Sequence, residues 1–236
     1  MQERYLGDSH DFLKYALLRH IGRSLGVRIG VNWYLTDPER VDKAGNNDGE
    51  KRHHLNGKDW RAVDPELFDL IGMFADPANR KIGYVEGWNV LPPRTVYFDA
   101  HVPTIDRAGW YEASKSVLAD ADLVFLDPDN GFEVKSMTSR TAPKYAFYRE
   151  AAGYLEAGKM VISIQFARQC DPIQRGLQTR ETLCEFTQSD TRLPVVRGRV
   201  APNILFLALA PSSVMDSLAA AMTEFAGSSA KTDIIR

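Results

Sequence analysis

The chain has 236 residues, 44% of them hydrophobic and 25% charged, an ordinary composition for a globular protein large enough to bury a sizeable core. Its formal net charge of -2 argues against an overall basic surface, although a local basic patch for nucleic acid stays compatible with it. The first residues lack the apolar core of a signal peptide, and no apolar run approaches the ~20 residues that span a bilayer, so we expect no membrane contact.

The chain opens with a predicted helix over Ser9–Leu25, in which apolar residues recur at helical spacing until Gly26 ends it. The next stretch, 27–35, is rich in β-branched and aromatic residues and predicts the first strand. A polar, turn-rich segment follows at about 37–62. Because no part of the chain resembles a linker, we interpret this segment as a loop insertion in a single α/β domain that spans 1–236.

The rest of the chain alternates predicted strands with predicted helices. Strands are predicted at 81–86, 94–99, 122–126, 159–166, 193–200 and 203–210, and helices at 65–74, 108–121, 143–156, 172–186 and 213–225. Such alternation predicts a mostly parallel, twisted sheet with helices on both faces, and the short connection between the last two strands predicts an antiparallel C-terminal hairpin. This order is typical of a Rossmann-like methyltransferase fold in the α/β class.

A dense polar turn follows the buried strand at 122–126. Pro128 cannot donate to a sheet ladder and Gly131 tolerates positive φ, so the chain leaves the sheet abruptly and holds Asp127, Asp129 and Asn130 together. Parallel sheets bind ligands beyond the carboxyl ends of their strands, which makes this turn a candidate site. The alternative is an Asx-rich turn that only ends a strand.

Other predicted strands also end at carboxylates. Parallel strands would bring Asp37, Glu86, Asp99 and Asp127 to one edge of the sheet. Carboxylates in such positions can accept hydrogen bonds from ribose hydroxyls and orient an adenine amino group. The pattern therefore favours an adenosine-bearing cofactor bound by Asp37, Glu86 and Asp99, although each carboxylate taken alone is compatible with a helix cap or a solvated turn.

Two segments resemble known methyltransferase motifs. The segment Gly7–Leu18, with the sequence GDSHDFLKYALL, resembles the Gly-Asn-Phe-x-Asp-x-x-Lys-His segment that opens the J-type ribosomal RNA adenine-N6 methyltransferases. The segment Asp127–Gly131, DPDNG, resembles the Asp-Pro-Pro-Tyr box of S-adenosylmethionine-dependent amino-methyltransferases. The two motifs occur in the same order as in that family.

The resemblance implies S-adenosylmethionine as cofactor and methyl transfer to an amino group, with a nucleic acid or nucleotide as substrate. It implies that Lys14 and Asp11 lie near the cofactor pocket, and that Asp127 and Pro128 bind the target amine. Methyl transfer of this kind requires alignment of the nucleophile and exclusion of water, and it requires no metal.

The chain departs from the family pattern at two places. Asp129 and Asn130 stand where the family has a proline and an aromatic ring that stacks on a flipped base, and 34–38 stands where a glycine-rich turn is expected. A second hypothesis is therefore a binding module that keeps the fold without the activity. A third is a metal-dependent phosphoryl-transfer or hydrolytic enzyme using Asp99, Asp127 and Asp129.

Further residues are candidates for contact with the substrate. Asn130 carries an amide donor and acceptor that can supplement the contacts of Asp127. Phe132 is a candidate flat apolar surface. Gln165 ends an apolar run, Arg168 follows it at the same edge of the predicted sheet, and Asp129 completes the set of predicted substrate-binding residues.

The two cysteines, Cys170 and Cys184, match no paired metal-ligand spacing. Two thiols in a chain of this length favour a reducing compartment over a disulfide framework. We therefore expect a cytoplasmic protein.

Overall fold

Seven strands form one mixed sheet in the computed structural model, which describes residues 1–42, 52–189 and 192–236. They lie across the sheet in the order β2-β1-β3-β4-β6-β5-β7. Their bounds are β1 (Ile29–Asn32), β2 (Val96–Phe98), β3 (Leu123–Leu126), β4 (Met160–Ala167), β5 (Val195–Gly198), β6 (Asn203–Leu209) and β7 (Thr232–Ile235).

The first four strands are parallel, and their register aligns their carboxyl ends. Asn32 at the end of β1 lies opposite Phe98 and Leu126, the last residues of β2 and β3, and Leu126 lies opposite Ser163 of β4. The residues that follow β1, β2 and β3 therefore begin at one edge of the sheet. Strand β6 runs antiparallel to both β4 and β5, which confirms the predicted α/β class and the C-terminal hairpin.

Nine helices surround the sheet in the described part of the chain, besides short 3-10 turns. Their bounds are α1 (Ser9–Leu25), α2 (Pro38–Val41), α3 (Lys58–Val63), α4 (Pro65–Gly72), α5 (Gly83–Gly87), α6 (Arg107–Val117), α7 (Tyr148–Glu156), α8 (Pro172–Thr187) and α9 (Met215–Gly227). Helix α1 has the predicted bounds because its ends carry strong signals: the Asp8 carboxylate accepts hydrogen bonds at its start, and Gly26 adopts φ +65° at its end.

Strand β3 is buried on both faces, as its uninterrupted apolar sequence predicts. Leu123 and Phe125 pack into the core that contains α1, α4 and α9, whereas Val124 and Leu126 pack into the opposite core, which contains α6, α7 and α8. Asp127 continues the ladder through its N–H, which donates to Asn32 O at 3.0 Å. Alternation along the strand therefore directs its side chain to the α1 face.

The prediction of a strand at 81–86 is wrong, because this segment contains α5. Tyr84 and Trp88 stack four residues apart with ring centroids at 4.6 Å, a spacing that brings side chains together on a helix and not on a strand. Glu86 is exposed on α5 and follows no strand.

Two other segments also differ from prediction. The insertion predicted as a loop contains α2, a 3-10 turn at His53–Asn56 and α3, and its residues 43–51 lie outside the described residues. The edge strand β7 was not predicted; it pairs antiparallel with β5.

The state of the two cysteines and the apolar character of the helices are given by the fold. Cys170 is exposed, Cys184 is buried, and neither forms a disulfide. Across the described ranges, no helix combines the length and the apolar character that crossing a bilayer demands.

Candidate functional site

A pocket of about 620 Å³ opens at the carboxyl edge of the sheet, between the turn after β3, the end of β4 and the N-terminal end of α1. Its size is within the range of small-molecule sites. Several predicted site residues line it together: Asp11, Lys14, Asp127, Pro128, Asp129, Asn130 and Arg168. The pocket therefore unites the two segments that carry the family resemblance, which are more than a hundred residues apart in sequence.

A buried ion pair joins these segments. Lys14 Nζ lies 2.8 Å from Asp127 Oδ1 and 3.0 Å from Asp11 Oδ1, and all three side chains are at most 5% exposed. Burial alone lowers the pKa of Lys14, but the charges of Asp11 and Asp127 outweigh it and raise the pKa above its ordinary value. Lys14 therefore stays protonated and balances the charge of Asp127.

The second carboxylate oxygen of Asp127 is available to a ligand. Oδ2 is buried and has no hydrogen-bond partner among the described residues, and Asp127 is one of the residues that line the pocket. A buried acceptor without a partner costs free energy, so such atoms in folded proteins are commonly satisfied by water or a ligand. The arrangement can accept an N–H or O–H group at this oxygen.

Asp11 is an acidic group beside this ion pair. Its Oδ2 accepts a hydrogen bond from the Gly7 N–H at 2.8 Å. Burial raises the pKa of Asp11 to about 6; Lys14 opposes the shift, and the carboxylates of Asp8 and Asp127 add to it. The charge of Asp11 therefore changes near neutral pH.

Asp8 and His10 form part of the pocket wall, although neither was predicted. Asp8 Oδ1 accepts the His10 and Asp11 N–H groups at 2.8 and 3.0 Å, and His10 Nε2 donates to the Pro202 carbonyl at 2.9 Å. Burial opposes ionisation of Asp8, but the His10 ring and Lys14 lower its pKa below the ordinary value. These contacts fix the start of α1 against the β5–β6 connection. Both residues lie within the N-terminal motif, and this position in the sequence could have identified them as candidate pocket residues.

Both carboxylate oxygens of Asp129 contact other groups of the protein. Oδ2 accepts from Thr36 Oγ1 at 2.6 Å and from Gln2 Nε2 at 3.2 Å, while Oδ1 lies 3.1 Å from the Met1 amino nitrogen. Burial raises the pKa of Asp129, but the positive charge of the Met1 amino group and the Thr36 hydrogen bond outweigh it and lower the pKa. Asp129 therefore holds neighbouring chain segments together at the pocket.

Asn130 and Pro128 are placed differently from Asp129. The Asn130 N–H donates to the Lys144 carbonyl at 2.9 Å, while its half-buried side-chain amide forms no hydrogen bond to another described residue. Pro128 is buried and contributes to the lining next to Asp127. The Asn130 amide is thus able to donate to a ligand and accept from it.

Phe132 and Gln165, both predicted to contact substrate, lie behind the pocket wall and do not line it. Both are buried, and the Phe132 N–H donates to Gln165 Oε1 at 2.9 Å. Gly131 between the wall and this contact has φ +91°, and a Cβ there would lie 2.5 Å from Gln165 Oε1. Gln165 therefore supports the turn, and the structural need for glycine at this position is confirmed.

The three carboxylates predicted to bind an adenosine lie outside the pocket. Asp37 caps α2 by accepting the Glu39 N–H at 3.0 Å, Asp99 is exposed after β2, and Glu86 is exposed on α5. The prediction that four carboxylates share one strand-end edge is wrong for Glu86, because the short helix α5 was interpreted as a strand.

The exit of β1 is closed by packed side chains. Trp33, Tyr34 and Leu35 are at most 5% exposed, and no glycine is among them. The Met1 amino nitrogen donates to the Tyr34 carbonyl at 2.8 Å and to the Asp127 carbonyl at 3.2 Å. The space between the ends of β1 and β3 is therefore filled, and the pocket lies towards β3 and β4.

Among the described residues, no cluster of three or more His, Cys, Asp or Glu side chains is arranged to hold a metal ion. Asp99, which was grouped with Asp127 and Asp129 in the metal-dependent hypothesis, does not line their pocket. Comparison with known proteins found no matching family model and no matching curated protein. The chemistry of the pocket is therefore the basis for assigning a function.

Proposed function

We propose that this protein binds the exocyclic amino group of a nucleic-acid base or nucleotide and catalyses its methylation with S-adenosylmethionine. One observation carries the proposal: the two segments that resemble methyltransferase motifs meet at the Lys14–Asp127 ion pair in the pocket, where Asp127 Oδ2 has no partner among the described residues. A carboxylate oxygen held in this way is suited to accept an N–H hydrogen bond from an amine.

The amine would be oriented by residues of the turn after β3. Asp127 Oδ2 accepts one N–H, the Pro128 carbonyl is a candidate acceptor for the second, and the Asn130 amide contacts the ring edge beside the amine. Two accepted hydrogen bonds direct the nitrogen lone pair away from the turn. Lys14 balances the charge of Asp127 and fixes its position, since an ion pair between buried groups restricts both side chains.

S-adenosylmethionine supplies an electrophilic methyl group when it is bound. The pocket volume of about 620 Å³ and the carboxylates of Asp8, Asp11 and Asp127 suit a ligand with a positive charge. The residues expected to hold its adenosine do not fit, because Asp37, Glu86 and Asp99 lie outside the pocket. The chain thus fits the amine side of the reaction, and we assign no residue to the adenosine.

The packed exit of β1 favours a second candidate function, a module that binds an amino-bearing base without methylating it. Tyr34 and its neighbours occupy the place where a glycine-rich turn would let a cofactor approach the backbone. Amine recognition by Asp127 does not depend on that exit. This second function therefore uses the same pocket and predicts no affinity for S-adenosylmethionine.

Calorimetric titration with S-adenosylmethionine and S-adenosylhomocysteine distinguishes the two functions. It is combined with transfer of a labelled methyl group to RNA, single-stranded DNA and nucleotides, using wild type, Asp127→Asn and Asn130→Ala. We expect cofactor binding and transfer in wild type, with transfer reduced on the order of a hundredfold in the Asp127 variant and clearly reduced in the Asn130 variant.

Asp64→Asn is the matched control, because Asp64 is a buried carboxylate paired with Arg19 at 2.8 Å and does not line the pocket. This control shows how much methyl transfer is lost when a buried carboxylate is neutralised outside the pocket, where only stability should change. If nucleotides bind but titration with S-adenosylmethionine gives no heat of binding, the second function would be favoured. Absence of both kinds of binding in folded wild-type protein would refute both.

A further inference from the structure

An aromatic ring and a guanidinium group stack on each other at the end of β4 and line the pocket. Arg168 Cζ lies 5.1 Å from the centroid of the Phe166 ring, within the range of a cation–π contact. Phe166 is half-buried and Arg168 is exposed, and Arg168 forms no ion pair with another described residue. Both flat groups are therefore accessible from the same pocket as Asp127.

The strand register explains why this stack faces Asp127. Ile162 and Ile164 of β4 pack into the core that contains α1, and alternation places Phe166 on the same face. Asp127 continues the α1 face of the neighbouring parallel strand, β3. Phe166 and Asp127 therefore project from adjacent strands to the same side of the sheet.

The Phe166 ring is held in place by a contact with His10. The His10 ring contacts it at a centroid distance of 5.1 Å with an interplanar angle of 89°, and His10 Nε2 is anchored to the Pro202 carbonyl. A perpendicular contact of this kind fixes the orientation of the Phe166 ring. One face carries the Arg168 guanidinium, which is exposed and lines the pocket.

We propose that the Phe166–Arg168 stack is the platform on which the substrate's nucleobase lies while its amino group meets Asp127. This inference rests on the proposed amine recognition and adds the surface that positions the base. It supplies the flat surface that the turn after β3 lacks, because Asn130 stands where the related motif has an aromatic ring. Nucleobases stack on arginine guanidinium planes and on aromatic rings in nucleic-acid-binding proteins.

Fluorescence of 2-aminopurine tests the platform directly, because stacking quenches this base and the base carries an exocyclic amine. Wild-type protein is titrated into the free 2-aminopurine nucleotide and into a single-stranded oligonucleotide that contains it. We expect quenching in wild type. Phe166→Leu and Arg168→Lys should each weaken binding about tenfold and reduce the quenching at saturation. The Lys substitution keeps the positive charge and removes only the plane.

Arg149→Lys is the matched control, since Arg149 is also exposed and its Cζ also lies 5.1 Å from a ring centroid, that of Phe147, outside the pocket. It should bind and quench like wild type. Full quenching retained by Arg168→Lys would overturn the platform, as would absence of quenching in wild type. Quenching by the free nucleotide and by the oligonucleotide alike identifies the base as the recognised unit, and quenching by the oligonucleotide alone identifies a nucleic acid.

The platform and the proposed methylation can fail separately. Stacking that depends on Phe166 and Arg168, without methyl transfer, would support the platform and refute methylation. Methyl transfer that is unchanged in Arg168→Lys, without quenching, would refute the platform and leave the methylation standing.

Discussion

Gly131 links the backbone of the turn to the residue that supports it from behind. Its φ of +91° disfavours any residue with a Cβ, and a Cβ would also displace Gln165 Oε1 from its hydrogen bond with the Phe132 N–H. We predict that Gly131→Ala lowers the free energy of unfolding by about 2–4 kcal/mol, from backbone strain and the lost hydrogen bond. Chemical denaturation measures this change.

Gly158→Ala is the control, because it measures the cost of backbone strain at a positive φ without the lost hydrogen bond. Gly158 has φ +78° and open space around the position of its Cβ, so only the strain remains. The Gly131 substitution should therefore be more destabilising by about 1 kcal/mol. Equal effects of the two substitutions would show that the Gln165 contact contributes nothing to the turn.

The ion pair of Lys14 with Asp127 connects helix α1 to the end of strand β3. Lys14→Met removes the cation from between Asp11 and Asp127 and leaves both carboxylates buried without it. We predict a loss of about 3–5 kcal/mol in the free energy of unfolding, the range found when one partner of a buried ion pair is removed. Urea denaturation of the variant checks this value.

Arg23→Met on the same helix is the comparison. Arg23 Nη2 lies 3.2 Å from the buried Asp64, but its own side chain is 63% exposed. An exposed cation contributes little, so its removal should cost at most about 1 kcal/mol. If both variants lost similar stability, the Lys14 pair would not be the main link between α1 and the sheet.

The elements also show where sequence patterns succeed. Helix α1 was predicted to its ends because Asp8, Gly26 and a long apolar stripe agree with one another. Helix α5 was missed because five residues contain too little periodicity to separate a helix from a strand. Strand β7 was missed because its four residues gain stability from pairing with β5, a contact that is distant in sequence.

At the scale of the whole molecule, the sequence predicted the part of the site that depends on chain order. The turn after β3 and the N-terminal motif were both identified, and the parallel sheet brings them together in one pocket. Two features were beyond prediction from the sequence alone. The proximity of Phe166 to Asp127 depends on strand register, and the closure at Tyr34 depends on side-chain packing.

The pocket's charge cluster couples the stability of the whole molecule to pH. Burial raises the pKa of Asp11 from 3.8 to about 6, so the folded state binds this proton more tightly than the unfolded state. The stabilising effect of protonation is fully present below pH 3.8 and is lost as the pH rises through about 6.

Asp11→Asn removes this titration while keeping an acceptor for the Gly7 N–H. The stability of wild type relative to Asp11→Asn should therefore fall by up to about 3 kcal/mol across this interval. Denaturation curves of both proteins at several pH values measure the difference and cancel the contributions of groups that they share. A difference that stays constant with pH would mean that Asp11 is not buried beside Asp8 and Asp127 in the folded protein.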